Sequence, residues 1–203
     1  MYKIVRSILI DKVLDDTMDL FWKKGLLDTS IEELVDTTRL NRAALYKYFK
    51  DKDGLFLAML QRYHEQIVPL FISPLQREPK GINGIIDFFT NFLLYCETEN
   101  AAKGCFIIAT SANIHIHDEK VAEFIAAFLS ELRQLFLANL LNAQIAAEVS
   151  NELDCHACAD FLVGNVFGFW TLLRAKAPLA LIKNHLQGVL DYLSNCQINV
   201  NKV

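Results

Sequence analysis

The stretch TSIEELVDTTRLNRAALYKYFKDKDGLF, residues 29–56, decides how this chain folds. In three places a small polar residue precedes a helical run. Ser30 stands three residues ahead of Glu33, the spacing of a capping box, and opens a short helix that ends near Thr37 or Thr38; Thr29 is the alternative cap. Asn41 is the cap expected for a helix from Arg42 to Tyr48. Asp51 is the cap of another, which starts at Lys52 and runs toward Val68, where Pro69 and Pro74 bend or end it. Upstream, Ile4, Ile8, Val13, Leu14, Met18, Phe21 and Trp22 recur at helical spacing from about Lys3 to Lys24. Gly25, behind the pair Lys23-Lys24, is a stop signal. Short helices joined by a tight turn make a helix-turn-helix.

Side-chain chemistry divides the helix at Arg42–Tyr48 into two faces. Leu45 and Phe49 lie four apart, on one face, and are expected to pack with Leu34 and Leu40. Arg42, Ala43, Tyr46 and Lys47 project from the other side, toward the major groove of DNA. Arg42 suits a bidentate contact to guanine, and small Ala43 lets the backbone approach base edges or a thymine methyl. Tyr46, Lys47, Tyr48 and Lys52 suit phosphates, which position a reader without specifying sequence. Ser30 or Thr29 offers a hydroxyl and a helix N-terminus to phosphate.

The same stretch, with Arg6, Leu20-Phe21 and Gly25 before it, resembles the DNA-binding domain of the TetR/AcrR family over roughly residues 3–60. Leu45-Tyr46, Tyr48-Phe49, Lys52 and Leu55 carry the resemblance, which implies phosphate contacts at Tyr46, Tyr48 and Lys52. The chain departs from the family at the turn: Arg39-Leu40-Asn41 stands where the family usually has Gly-Val-Ser. Asn41 still caps. Arg39 occupies a position that often wants positive φ, so a strained or differently wound turn is expected there, along with a further phosphate contact.

Composition bounds the rest. With 203 residues, 53% hydrophobic and 22% charged, the chain has enough apolar material for a core. Only 8 Gly and 4 Pro interrupt it, which favours helices. The expected class is all-α: a three-helix helix-turn-helix DNA-binding domain over residues 1–50, then a helical ligand-binding and dimerisation domain over residues 51–203. Residues 1–62 hold 11 Lys and Arg against 10 Asp and Glu, while residues 63–203 hold 9 against 14. The window 39–52 sets Arg39, Arg42, Lys47, Lys50 and Lys52 against Asp51 alone, so a polyanion partner is expected at one end only. No membrane span or signal peptide is expected, because charges interrupt the first 24 residues and the apolar runs are short. Five cysteines, an odd number, fit reduced thiols and a cytoplasmic location.

The C-terminal part predicts helices over Gly81–Thr98, Ala102–His115, Asp118–Ala147, Leu153–Ala177 and Ala180–Asn195, then a tail at 199–203. Ala102 to Thr110, with His117 to Val121, resembles the ligand domain of one branch of the same family. That implies a pocket between the middle helices and a four-helix bundle formed with a second subunit by the last two. Phe161, Leu162, Val166, Phe167, Phe169, Trp170, Leu172 and Leu173 wrap nearly all round their helix, which must then be buried on every side. Gly164 and Gly168 permit close helix approach. A homodimer through Phe161, Phe167, Trp170, Leu186 and Leu190 meets that need; a buried central helix in a monomer is the alternative. Tyr63, Phe88, Phe92, Phe106, Phe124 and Phe128 form a candidate pocket for a small apolar or aromatic effector, or else ordinary core.

Cys105 follows Lys103-Gly104 at an expected helix start, where a thiol is activated; it is a candidate sensor of electrophiles or oxidants, or a buried inert thiol. Cys155 and Cys158 could hold two corners of a zinc site, but His115, His117 or His185 would have to supply the rest, so no metal and no cofactor is expected. No nucleophile–base string or glycine-rich phosphate loop points to an enzyme. The expectation is a repressor that binds a palindromic operator as a homodimer and is released by a small molecule. The alternatives are a thiol-based redox regulator and an interaction module that has lost DNA binding.

Overall fold

A computed structural model describes residues 2–98 and 101–198, with side chains from Ile10 onward. The side chains of Ile4, Arg6 and Ile8, and the expected tail at 199–203, lie outside the described residues. The order is α1 (Tyr2–Lys24), α2 (Ile31–Thr38), α3 (Arg42–Phe49), α4 (Lys52–Gln66), α5 (Val68–Gln76), α6 (Ile82–Tyr95), α7 (Phe106–Ser111), α8 (Glu119–Ile145), α9 (Cys155–Arg174) and α10 (Leu179–Cys196). Short 3-10 turns lie at Ala101–Lys103 and Ile114–Ile116. The one extended pairing among the described residues is an isolated antiparallel bridge between Val149 and Gln197. The expected all-α class is the observed one.

The chain forms two compact units, residues 1–68 with 110–122, and residues 69–109 with 123–203. This differs from a division at residue 50, because α4 packs with α1 and α3 in the first unit. Val13, Leu14, Thr17 and Phe21 follow one face of α1 and are buried. The Phe21 ring meets Phe56 of α4 edge-on at 5.2 Å. Further along the same pair of helices, Arg62 forks onto two α1 carboxylates. Its Nη1 donates to Asp11 at 2.9 Å, and its Nε and Nη2 donate to Asp15 at 2.8 Å each.

The three expected caps are all in place. Ser30 Oγ accepts from Glu33 N, and the Glu33 carboxylate accepts from Ser30 N, a complete capping box. Asn41 Oδ1 accepts from Ala44 N at 2.9 Å, and Asp51 Oδ1 from Gly54 N at 2.7 Å. Leu34, Leu45, Phe49 and Leu55 fill the space between these helices, while Leu40 is only half-buried. Gly54 has a role that its sequence context did not reveal. A Cβ at this position would stand 2.0 Å from the carbonyl oxygen of Phe49. The end of α3 therefore rests on the start of α4 at a distance that only a missing side chain allows.

In the second unit α6 begins at Gly81, which has no side chain to cap with. Distant residues supply the acceptors: Glu148 Oε2 for Ile82 N at 2.9 Å, and Asn139 Oδ1 for Gly81 N at 3.2 Å. Asn139 is fully buried, and its Nδ2 donates to the Leu75 and Leu135 carbonyls. Around this point Phe71, Phe88, Phe89, Phe92, Phe136, Phe169 and Trp170 form a continuous ring cluster, with centroids 4.4 to 6.1 Å apart.

Three expectations about this part meet the structure only in part. The helix that starts at Lys52 ends at Gln66, as expected just ahead of Pro69, which sits in the first turn of α5, where its missing N–H costs nothing; Pro74, however, lies inside α5 and does not end it. The helix expected from Ala102 to His115 is broken. Gly104 adopts φ +69°, which separates the 3-10 turn from α7, and α7 ends at Ser111. Finally, α8 and α9 are long and apolar enough to cross a membrane by length and composition alone, with mean hydropathy of 1.4 and 1.2. Their apolar side chains supply the core of the unit, Leu132, Phe136 and Leu140 from α8 and Leu162, Val166 and Phe169 from α9.

Gly54→Ala should destabilise the first unit by about 2 kcal/mol or more, because neither Phe49 nor the new methyl can yield. Denaturant unfolding followed by circular dichroism measures this; an unchanged midpoint would show that the α3–α4 contact is dispensable.

Candidate nucleic-acid interface

The helix-turn-helix consists of α2, a turn at residues 39–41, and α3. Leu45 and Phe49 hold the inner face of α3, which leaves Arg42, Ala43 and Lys47 exposed and Tyr46 and Tyr48 half-buried. The Arg42 guanidinium carbon lies 5.2 Å from the centre of the Tyr46 ring, one turn along the helix. Stacking restrains a long side chain that would otherwise lose rotamer freedom on reaching a base.

Arg39 takes φ 59° and ψ 16°, the left-handed conformation, and its N–H donates to the Val35 carbonyl to close α2. The turn thus has the backbone of a glycine turn, built on a residue with a Cβ, at a cost of roughly 1 kcal/mol. Thr38 ties the turn together: its hydroxyl donates to the Leu34 carbonyl and accepts from Leu40 N. Arg39 is exposed, as are Lys47 and Lys50. Among the described residues, none of Arg39, Arg42, Lys47 and Lys50 forms an ion pair, whereas Arg62, Lys24 and Lys12 all do. Among the described residues of the first unit, four cations without an ion pair thus stand together on the turn and along α3.

Thr29 is placed otherwise than expected, and Lys52, half-buried, makes a bond that the sequence did not announce. Thr29 is fully buried; its hydroxyl donates to the Gly25 carbonyl, and its own carbonyl accepts from Lys52 Nζ at 3.0 Å. The Lys52 ammonium thereby pins the start of α2 to the start of α4. Of the two hydroxyls, only that of Ser30 lies at the surface, where it caps α2.

Behind this face, His117 stacks on Phe56 with ring centres 4.9 Å apart. Its Nδ1 is buried with no hydrogen-bond partner among the described residues. Burial holds the imidazole below its ordinary range, against the opposing pull of Asp53 and Asp118 and with a small contribution from His115.

Two family models match the chain. One, described as bacterial regulatory proteins, tetR family, matches residues 13–59, which include this interface. The other, described as tetracyclin repressor-like, C-terminal domain, matches residues 81–187, more than half the chain. The chain belongs to the tetR family. It is a transcriptional regulator with a DNA-binding helix-turn-helix, in a family of regulators rather than enzymes. It is 27% identical over 170 residues to the HTH-type transcriptional repressor ComR of Escherichia coli, covering 83% of this chain and 81% of that one. Its fold matches a TetR transcriptional regulator from Chloroflexus aurantiacus with a TM-score of 0.82 at 22% identity, over 97% of this chain and 98% of the other. It also matches the TetR-family regulator CifR, solved as a cysteine mutant with 26 bp of double-strand operator DNA, with a TM-score of 0.74 at 20% identity, over 89% and 95% of the two chains.

Aromatic residues abound in the second unit, and most of them are packed. Phe88, Phe92 and Phe106 are buried, and Phe92 stacks on Phe169 at 4.4 Å. Phe128 is also buried and Phe124 half-buried. Tyr63 belongs to the first unit, where its ring meets Trp22 edge-on at 5.1 Å. Cys105 is buried directly ahead of α7. A shallow groove of about 380 Å³ lies elsewhere, lined by Leu93, Leu94, Glu97, Lys183, Asn184 and Gln187 of the second unit.

Of the residues expected at a dimer interface, Trp170 and Leu186 are buried within their own unit, and Phe167 and Leu190 are half-buried. Phe161 is 43% exposed and packs on Tyr192 at 4.8 Å. The helix expected to be apolar all round thus keeps one apolar side uncovered. Cys155 and Cys158 are buried, and among the described residues no group of three or more His, Cys, Asp or Glu side chains is arranged to hold a metal ion.

Two measurements follow. Arg39→Gly should raise stability by about 0.5–1 kcal/mol, since relief of the left-handed strain exceeds the added chain entropy; a lower midpoint would mean the turn is unstrained. His117 titrates lower in the fold than in the unfolded chain, so the stability it contributes is present above about pH 6.5 and is lost as pH falls through its depressed value. Unfolding midpoints between pH 7.5 and 5 should fall less in His117→Phe than in the parent; identical slopes would remove His117 as a cause.

Proposed function

We propose that this regulator is a ligand-responsive repressor that binds a palindromic operator as a homodimer in the cytoplasm. The observation that carries the DNA-reading part is the outer face of α3, where Arg42, Ala43 and Lys47 stand exposed beside the unpaired charge of Arg39 and Lys50. Arg42, held by Tyr46, is aimed at a guanine edge. Ser30, Arg39, Asn41, Tyr46, Lys47 and Tyr48 bind phosphates and set the register, and Lys52 supports them from behind. The operator-bound CifR structure supports this use of the fold.

The homodimer is supported by the uncovered strip on α9 and α10. Phe161, Leu181 and Tyr192 are exposed there, and the positions of Gly164 and Gly188 face open space. A second copy laid across the strip buries apolar area and spaces two recognition helices for two half-sites. A small apolar or aromatic effector in the second unit then acts by shifting that spacing, since it need only prefer one arrangement over the other. ComR, itself a repressor, supports the sign of the response.

The test is fluorescence anisotropy of the whole protein against its own upstream promoter DNA, at two salt concentrations. Binding should be tighter than to scrambled duplex and weaken steeply with salt. Arg42→Ala should cost about 1–3 kcal/mol on the promoter and much less on scrambled DNA. Phe161→Glu should shift the protein to monomer in sedimentation and weaken binding with it. Equal, weak binding to both duplexes would instead favour an interaction module that has lost DNA reading.

A further inference from the structure

Helices α9 and α10 are joined by only four residues, 175–178, and run antiparallel. Their register can be read from three contacts. A Cβ on Gly168 would meet the His185 ring at 3.4 Å, the Asn165 carbonyl lies 3.3 Å from His185 Nε2, and Phe161 packs on Tyr192. Two turns back along α9 correspond to two turns forward along α10. One further turn in the same register brings Cys158 of α9 opposite Cys196, the last residue of α10.

Side-chain chemistry agrees with that register. Tyr192 stands one turn from each cysteine in that register, and burial, then Cys158, then Cys196 hold its phenol above the ordinary range. The end of α10 is also held in place: Ile198 N donates to the Glu148 carbonyl at 2.9 Å, and Gln197 bridges to Val149. Both thiols are free. Cys158 is buried, while Cys196 is half-exposed. Cys155, one turn before Cys158, points elsewhere, with its Sγ 3.6 Å from Gln144 Oε1. Burial pushes the Cys158 thiol up to about 11, so Cys158 is the resolving partner rather than the first to react.

We propose that Cys158 and Cys196 form a reversible dithiol–disulfide site that takes a peroxide as its oxidant. The half-exposed Cys196 thiolate attacks one peroxide oxygen, the O–O bond breaks, hydroxide leaves and takes up a proton as water, and a sulfenic acid remains on Cys196. Cys158 then attacks that sulfur, the S–O bond breaks, and a second water leaves as the S–S bond forms. Two thiols lose two electrons and two protons, and one hydrogen peroxide becomes two waters. The crosslink ties the open end of the α9–α10 hairpin one turn beyond Phe161 and Tyr192.

The experiment treats the reduced whole protein with hydrogen peroxide and follows it by non-reducing mass spectrometry. The expected product is a monomeric chain lighter by two hydrogen atoms, with the Cys158 and Cys196 peptides linked and the link reversed by dithiothreitol. Cys196→Ser, at a half-exposed position that tolerates the change, and Cys158→Ala should each abolish the link. Cys155→Ser and Cys105→Ser should leave it intact, and circular dichroism confirms that each variant is folded. A link through Cys155 or Cys105, a link between two chains, or oxygen addition to Cys196 without any link in the folded parent would each overturn the proposal.

Discussion

The orientation of α3 depends on a single close approach, the carbonyl of Phe49 against the bare Cα of Gly54. At that spot the backbone leaves α3 through Lys50, which takes φ 70°, and re-enters a helix at Asp51. Asp51 caps Gly54 N, so the residue that must lack a side chain also supplies the capped donor. Leu45 and Phe49 can reach the core only if this corner is tight, and the outer face of α3 is exposed because they do. The Lys52 bond to Thr29 and the Arg62 fork to Asp11 and Asp15 hold the two flanks of the same corner.

Charge is distributed according to the same division. Cations that face α1 or the start of α2 are paired with carboxylates, as Arg62 and Lys24 are. Those on the turn and the outer face of α3 are not. Unpaired cations on a small domain repel one another and contribute nothing to its stability, so their clustering costs free energy that a polyanion returns on binding. Arg39 illustrates this doubly: it brings charge to the interface and occupies a left-handed position where glycine would be less strained.

The second unit solves a different problem. Rings from α5, α6, α8 and α9 pack edge-to-face and stacked into one core, and the buried polar groups near it, Asn139 above all, have their hydrogen bonds satisfied. What that core leaves over is an apolar strip on α9 and α10. Helix α9 is apolar on nearly all sides, and the side its own unit does not cover forms part of that strip. The same antiparallel register that builds the strip sets Cys158 opposite Cys196.

The sequence by itself determined what is local. Ser30, Asn41 and Asp51 announce three helix starts because capping needs only a side chain and a donor two or three residues on. Positive φ at residue 39 was legible only through the family resemblance, which sets a glycine there, while the split of α3 into an apolar and a cationic face was legible from its own residues. Only the tertiary structure decided what depends on partners distant in the chain. Thr29 looked like a phosphate ligand until it was found buried, its carbonyl held by Lys52. Trp170 and Leu186 had the composition of an interface and turned out to lie within their own unit, while Phe161 stayed exposed. Gly104 broke a helix that its apolar neighbours predicted, by taking a positive φ open to glycine, whereas Pro74 failed to break one because packing around it outweighs its intrinsic preference. Periodicity states that a face is apolar; which apolar face meets its own chain is settled by three-dimensional packing alone.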